Sequence, residues 1–91
     1  AVPAELELEQ VKQARKELNR LGDQYGVSAD HCWVESGITK TEIIRKASDT
    51  GTDLIILGSH GRHGVGLLLG STANAVLHAA QCDVLAVRVR S

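Results

Sequence analysis

The residues best placed to do chemistry lie in one stretch: Gly58-Ser59-His60-Gly61-Arg62-His63-Gly64-Val65-Gly66, then Leu67-Leu68-Leu69-Gly70-Ser71-Thr72. Glycines let main-chain N–H groups approach an anion without a Cβ in the way, and they permit positive φ. Helix N-termini add unpaired N–H donors and the positive end of a dipole. A glycine loop running into a helix is therefore a recipe for holding phosphate. Arg62 could add a bidentate contact to such a group, or stand solvated at the loop tip. Ser71 could cap the helix, and capping uses the same geometry as a phosphate contact. The plainer alternative is a compact loop of small residues with no ligand.

Other chemistries fit less well. The stretch lacks the Gly-Lys-Ser/Thr of a P-loop and does not follow the Rossmann spacing G-x-G-x-x-G. His60 and His63 lie three apart, but no carboxylate or cysteine sits at a helpful spacing to complete a metal site. His60 is expected against main chain and His63 near the pocket mouth, with His31 and His78 on the surface. Asp53 sits at the far end of the preceding strand, and neither Cys32 nor Cys82 has a local histidine partner. The sequence gives no catalytic residue, so a non-enzyme is expected.

The elements that position this loop follow from periodicity. Ala4, Leu8, Val11, Ala14, Leu18 and Leu21 form an apolar stripe, predicting a helix over 4–22 ended by Gly22. Acids crowd its first half and Lys12, Lys16 and Arg20 its second, in the sense of the macrodipole. Cys32 to Ser36 reads as a short strand, and Gly37 turns the chain. Thr39-Lys40-Thr41-Glu42 has capping-box spacing, predicting a helix from near Lys40 with Ile43, Ile44 and Ala47 inward. Thr50-Gly51-Thr52 closes it.

Asp53 to Leu57 is the next strand. Its run Leu54-Ile55-Ile56-Leu57 suits cover on both faces. A helix over 72–80 with Ala73, Val76, Leu77 and Ala80 inward follows the loop, and Asp83 to Val89 is the last strand. The order α-β-α-β-α-β implies a parallel α/β sheet with right-handed crossovers.

Ninety-one residues make at most one small domain, and its core must rely on Val, Ile, Leu and Ala because Phe and Met are absent. A formal charge of −1 with interspersed signs argues against nucleic acid or an anionic membrane as partner. Cys32 and Cys82 read as reduced, half-buried thiols, which fits a cytoplasmic setting.

Asp53-Leu54-Ile55-Ile56-Leu57-Gly58-Ser59-His60-Gly61, Gly70-Ser71-Thr72 and Cys82-Asp83-Val84-Leu85-Ala86-Val87 together resemble the universal stress protein family. The resemblance extends, more weakly, over the rest of the chain. It implies a parallel sheet with helices on both faces, of the adenine nucleotide alpha hydrolase-like, Rossmann-like kind with strand order 3-2-1-4-5. It also implies a stress-response role and, in a subset of members, binding of ATP or another adenine nucleotide, with Mg²⁺ as a companion ion. That subset carries G-x-x-G, a nine-residue spacer, then G-S/T. Carried over, Gly58 and Gly61 would line ribose and phosphates, Gly70, Ser71 and Thr72 would cradle the phosphates, and Arg62 would stand beside them.

Two departures qualify the match. The spacer here, Arg62 to Leu69, is one residue shorter than that pattern. The family's first strand, first helix and second strand also have no counterpart, so the chain reads as a single domain incomplete at its N-terminus, with a segment expected upstream of Ala1. A gap in the middle of a parallel sheet would cost about 1–3 kcal/mol for each buried orphan group. The family's mode of association implies a homodimer through Val84 to Val89, with Val87 and Val89 covered by the partner and Arg88 and Arg90 guarding the edge. The resemblance points to a nucleotide-dependent regulatory dimer with an unknown protein partner. The alternative is a dimeric scaffold of the same family that binds no nucleotide, and an ATP-hydrolysing or autophosphorylating enzyme comes third.

Overall fold

The structure, a computed structural model, describes residues 3–60 and 70–89, the side chains of His60 and Val89 excepted. It divides into two compact units, residues 1–36 and 37–91.

The first unit is dominated by α1, Ala4–Tyr25, which Pro3 precedes at the N-cap and whose first turn carries Glu5 and Glu7. Gly22 does not end this helix, contrary to the sequence reading. The stop is Gly26, which adopts φ 73° and ψ 28°. Only a residue without Cβ takes that left-handed conformation at low cost. The amides of Gly26 and Val27 both reach the Gly22 carbonyl, the latter at 2.8 Å. Gly22 is buried, and a Cβ there would lie 2.9 Å from the Val27 carbonyl oxygen and 3.2 Å from Cys32 Sγ.

With the helix extended to Tyr25, no base remains in the last turn, so the expected charge match holds at the N-terminal end alone. Of the apolar stripe, Val11 and Leu18 are half-buried while Leu8 and Leu21 are exposed. A 3₁₀ turn at Ala29–His31 follows. Cys32 to Ser36, expected as a strand, is not one: the sheet contains two strands among the described residues, both from the other unit. A strand exists through the ladder that takes up its N–H and C=O groups. The segment is extended chain outside that sheet, as Cys32 shows at φ −118° and ψ 115°.

The second unit starts at Gly37, whose φ of 148° suits glycine and where a Cβ would lie 3.0 Å from the Glu42 carboxylate. Helix α2 is Thr39–Asp49, with Ile38 at the N-cap and no side-chain cap bond. The expected capping box therefore does not form. Thr39 is already helical, and the Glu42 carboxylate is taken by Arg45 one turn on. The helix closes as expected: the Thr50 hydroxyl donates to the Lys46 carbonyl at 2.8 Å, and Gly51 turns at φ 65°.

Strand β1, Leu54–His60, pairs in parallel with β2, Asp83–Val89, in a register that sets Leu54 opposite Asp83 and His60 opposite Val89. The parallel α/β expectation is met, and β2 has the bounds read from sequence. Between the strands lies α3, Ser71–Ala79, one residue earlier than expected. It packs on α2 and both strands, burying Ala73 and Val76 over the face that carries Ile55 and Ser59. On the other face of the pair, contrary to the expected two-sided cover, Leu54, Ile56, Leu85 and Val87 are exposed, Ile56 by 62%. Leu77, expected inward, is exposed as well.

Candidate functional site

The junction of β1 and α3 is where the sequence places its binding residues. Strand β1 continues three residues beyond Leu57, so Gly58 and Ser59 are ladder residues facing Val87 and Arg88, not the start of a loop. The reading of Gly58 as a loop glycine is corrected accordingly. In a strand, successive side chains alternate faces, so Ile55, Leu57 and Ser59 share one. Ser59 is the buried member with a polar group, 4% exposed. Its Oγ accepts the Gly70 N–H at 3.2 Å.

That bond sets the start of α3. Gly70 is the N-cap, at an ordinary φ of −60° and ψ of 156°, and its carbonyl accepts the Asn74 amide at 2.9 Å. Gly70 is therefore not there for a positive φ. Ser71, expected as a cap, is instead the first helical residue, and no side chain caps the helix. Its hydroxyl and that of Thr72 belong to exposed residues. The amides of Ser71, Thr72 and Ala73 precede the first intrahelical bond and so point out of the helix end.

The junction thus offers first-turn amides, a dipole end and two exposed hydroxyls at the C-terminal end of a parallel strand. Open α/β sheets bind ligands at that edge. Gly61, Arg62, His63, Gly64 and Gly66 lie outside the described residues, as does the His60 side chain. The structure brings Gly70, Ser71 and Thr72 to the end of β1, with Gly58 within the strand. Ser59 was not singled out by the sequence reading. Its signal was its place in the alternation, a small hydroxyl on the covered face.

Asp53 lies at the opposite end of β1, where its carbonyl accepts the Asp83 amide at 3.3 Å. Among the described residues no three His, Cys, Asp or Glu side chains gather as a metal site. Cys32 and Cys82 are free and half-buried, and His31 and His78 are exposed, all as expected. No described helix is long and apolar enough to cross a membrane.

The family description "Universal stress protein family" matches residues 1–88. This chain belongs to the universal stress protein family. Among its relatives, Universal stress protein A homolog 2 of Coxiella burnetii (strain RSA 493 / Nine Mile phase I) is 54% identical over 80 residues, 88% of this chain and 55% of that protein. Universal stress protein A homolog 1 of the same organism is 44% identical over 89 residues, 96% of this chain and 62% of that protein. This universal stress protein chain thus spans little more than half the length of the curated relatives it matches. The solved structure of hypothetical protein MJ0577 superposes with a TM-score of 0.73 at 28% identity, covering 96% of this chain and 62% of that one. The α/β architecture of the family is therefore the architecture of this universal stress protein chain.

Proposed function

We propose that this universal stress protein chain binds ATP or another adenine nucleotide at the β1–α3 junction and acts as a nucleotide-dependent regulatory dimer. The observation that carries the reading is the Ser59–Gly70 bond, which fixes the N-terminus of α3 against the end of β1. There the Ser71 and Thr72 amides and hydroxyls would hold phosphate oxygens, helped by about half a positive charge at the helix end. Gly58 would lie beside the ribose, and Gly61 and Arg62 are assigned to the same ligand by the resemblance alone. A Mg²⁺ ion accompanying the nucleotide would be carried by its phosphates. This is a binding module, with no general base assigned at the junction.

The dimer would form through Val84 to Val89. Within the described sheet β2 has β1 on one side only, and Leu85 and Val87 are exposed, so edge and apolar surface are both available to a second copy. The same surface favours the second reading, a dimeric scaffold of the family that binds no nucleotide. Two free thiols suit a reducing compartment, so cytoplasm is the setting this reading expects.

Calorimetric titration with ATP and AMP separates the two readings: heat supports the first, and silence from a dimeric protein supports the scaffold. Ser71→Pro sharpens the test. Proline is tolerated at the first helical position, and the ψ of 156° at Gly70 suits a residue before proline. The variant keeps α3 but removes one amide donor and one hydroxyl, so ATP affinity should fall about 10-fold or more. Unchanged affinity would move the phosphates away from α3. Phosphate release above a protein-free control would overturn the assignment as a non-enzyme.

A further inference from the structure

We infer that Ser59 is the positioning residue of this junction: its hydroxyl holds the Gly70 amide and so leaves ligand binding to the amides of the exposed residues Ser71 and Thr72. The inference rests on the nucleotide reading above for its functional half, but its structural half stands on geometry alone. An N-cap amide makes no intrahelical bond and, left free, would be one more donor for an anion. Here that amide is already engaged, with Ser59 Oγ 3.2 Å away. Ser59 is 4% exposed, and β1 holds its backbone in register opposite Arg88. The acceptor therefore sits on a rigid element and not on a mobile chain.

The consequence is a division of labour between neighbours. Gly70 is a structural residue: it marks where the chain enters α3. Ser71 and Thr72, both exposed, carry the free donors. One bond from a strand side chain to a helix N-cap joins two residues eleven apart in sequence and holds the helix end against β1. Hydroxyl chemistry is what the position needs. A serine offers two lone pairs and one proton, enough to accept from Gly70 and still donate elsewhere.

The test uses the full chain with Ser59→Ala and Ser59→Thr. Gly70 amide hydrogen exchange reads the bond without any nucleotide present, and ATP titration reads the site. Ser59→Ala should speed Gly70 exchange about 10-fold while leaving the Val76 amide protected, and weaken ATP about 10-fold. Ser59→Thr, which keeps the hydroxyl, should restore both. A merely space-filling serine would leave Gly70 exchange unchanged in Ser59→Ala, and that result overturns the inference. Should the alanine variant not fold, Ser59→Cys keeps the shape with a poor acceptor and is read the same way. If the parent protein binds no ATP at all, the nucleotide reading fails, and Gly70 exchange alone decides whether Ser59 holds the helix.

Discussion

The two units of this chain are built on different principles. In residues 1–36 local rules explain most of what is found: acids in the first turn of α1, a left-handed glycine at its end, and an i,i+3 ion pair between Glu17 and Arg20 at 2.6 Å. The buried residue of α1 is a glycine. In residues 37–91 the local rules give way. The capping box is not used, the serine at the start of α3 is not its cap, and glycine sits inside a strand. There the structure is set by the sheet register, by Val76 and Ala73 under α3, and by a bond between residues eleven apart. Function is read in the unit whose geometry is fixed over distance.

The largest effect that would sharpen this contrast is in the second core. Val76 is fully buried, so Val76→Ala should cost about 2 kcal/mol of stability by chemical denaturation. Leu8→Ala, at a position 58% exposed, should cost about 0.5 kcal/mol or less. Similar losses at both sites would erase the distinction between the units.

Gly22 tests a close backbone approach within the first unit. Helix propensity alone favours Gly22→Ala by about 1 kcal/mol. The Val27 carbonyl, 2.9 Å from the new Cβ and belonging to the backbone, opposes it. The close contact should win, with a net loss of about 1 kcal/mol and faster exchange of the Val27 amide. A gain in stability would mean that the Gly26–Val27 turn yields freely.

The smallest effect is at the Glu17–Arg20 pair. The hydrogen bond from Arg20, and then its charge, hold the Glu17 carboxyl below its ordinary value. The stabilisation is therefore present above the ordinary glutamate pKa and lost as pH falls through the lowered one. Both groups are exposed, so solvent and salt screen the pair. Glu17→Gln should leave the helix content of α1 unchanged at neutral pH and at high salt. A clear loss at low salt would show that α1 depends on this pair.

Much of the fold was legible because the segments carry their own periodicity. Asp83 to Val89 is an uninterrupted strand run after a turn, and α2 and α3 begin within one residue of their expected starts. What was not legible depended on partners remote in sequence. Gly58, Ser59 and His60 read as loop because glycine is a poor strand former, yet Val87 to Val89 lie opposite and extend the ladder. Cys32 to Ser36 has strand composition, yet it lies outside the described sheet. Gly22 was read as the stop, but Val27 and Cys32 enclose it and Gly26 makes the turn. At the junction, the sequence placed Gly70, Ser71 and Thr72 at the start of a helix, as the structure does, but the assignment of cap and first helical residue was off by one. Ser59 escaped notice because one hydroxyl on a covered face has no motif.

The central claim is that the open end of α3 holds the phosphates of an adenine nucleotide. Amide chemical shifts of the full chain titrated with ATP test it most directly. The account predicts saturable shifts at Ser71, Thr72 and Ala73, small ones at Gly70, and none along α1. Saturating ATP that leaves Ser71 to Ala73 unmoved, or moves only residues of 1–36, would contradict it.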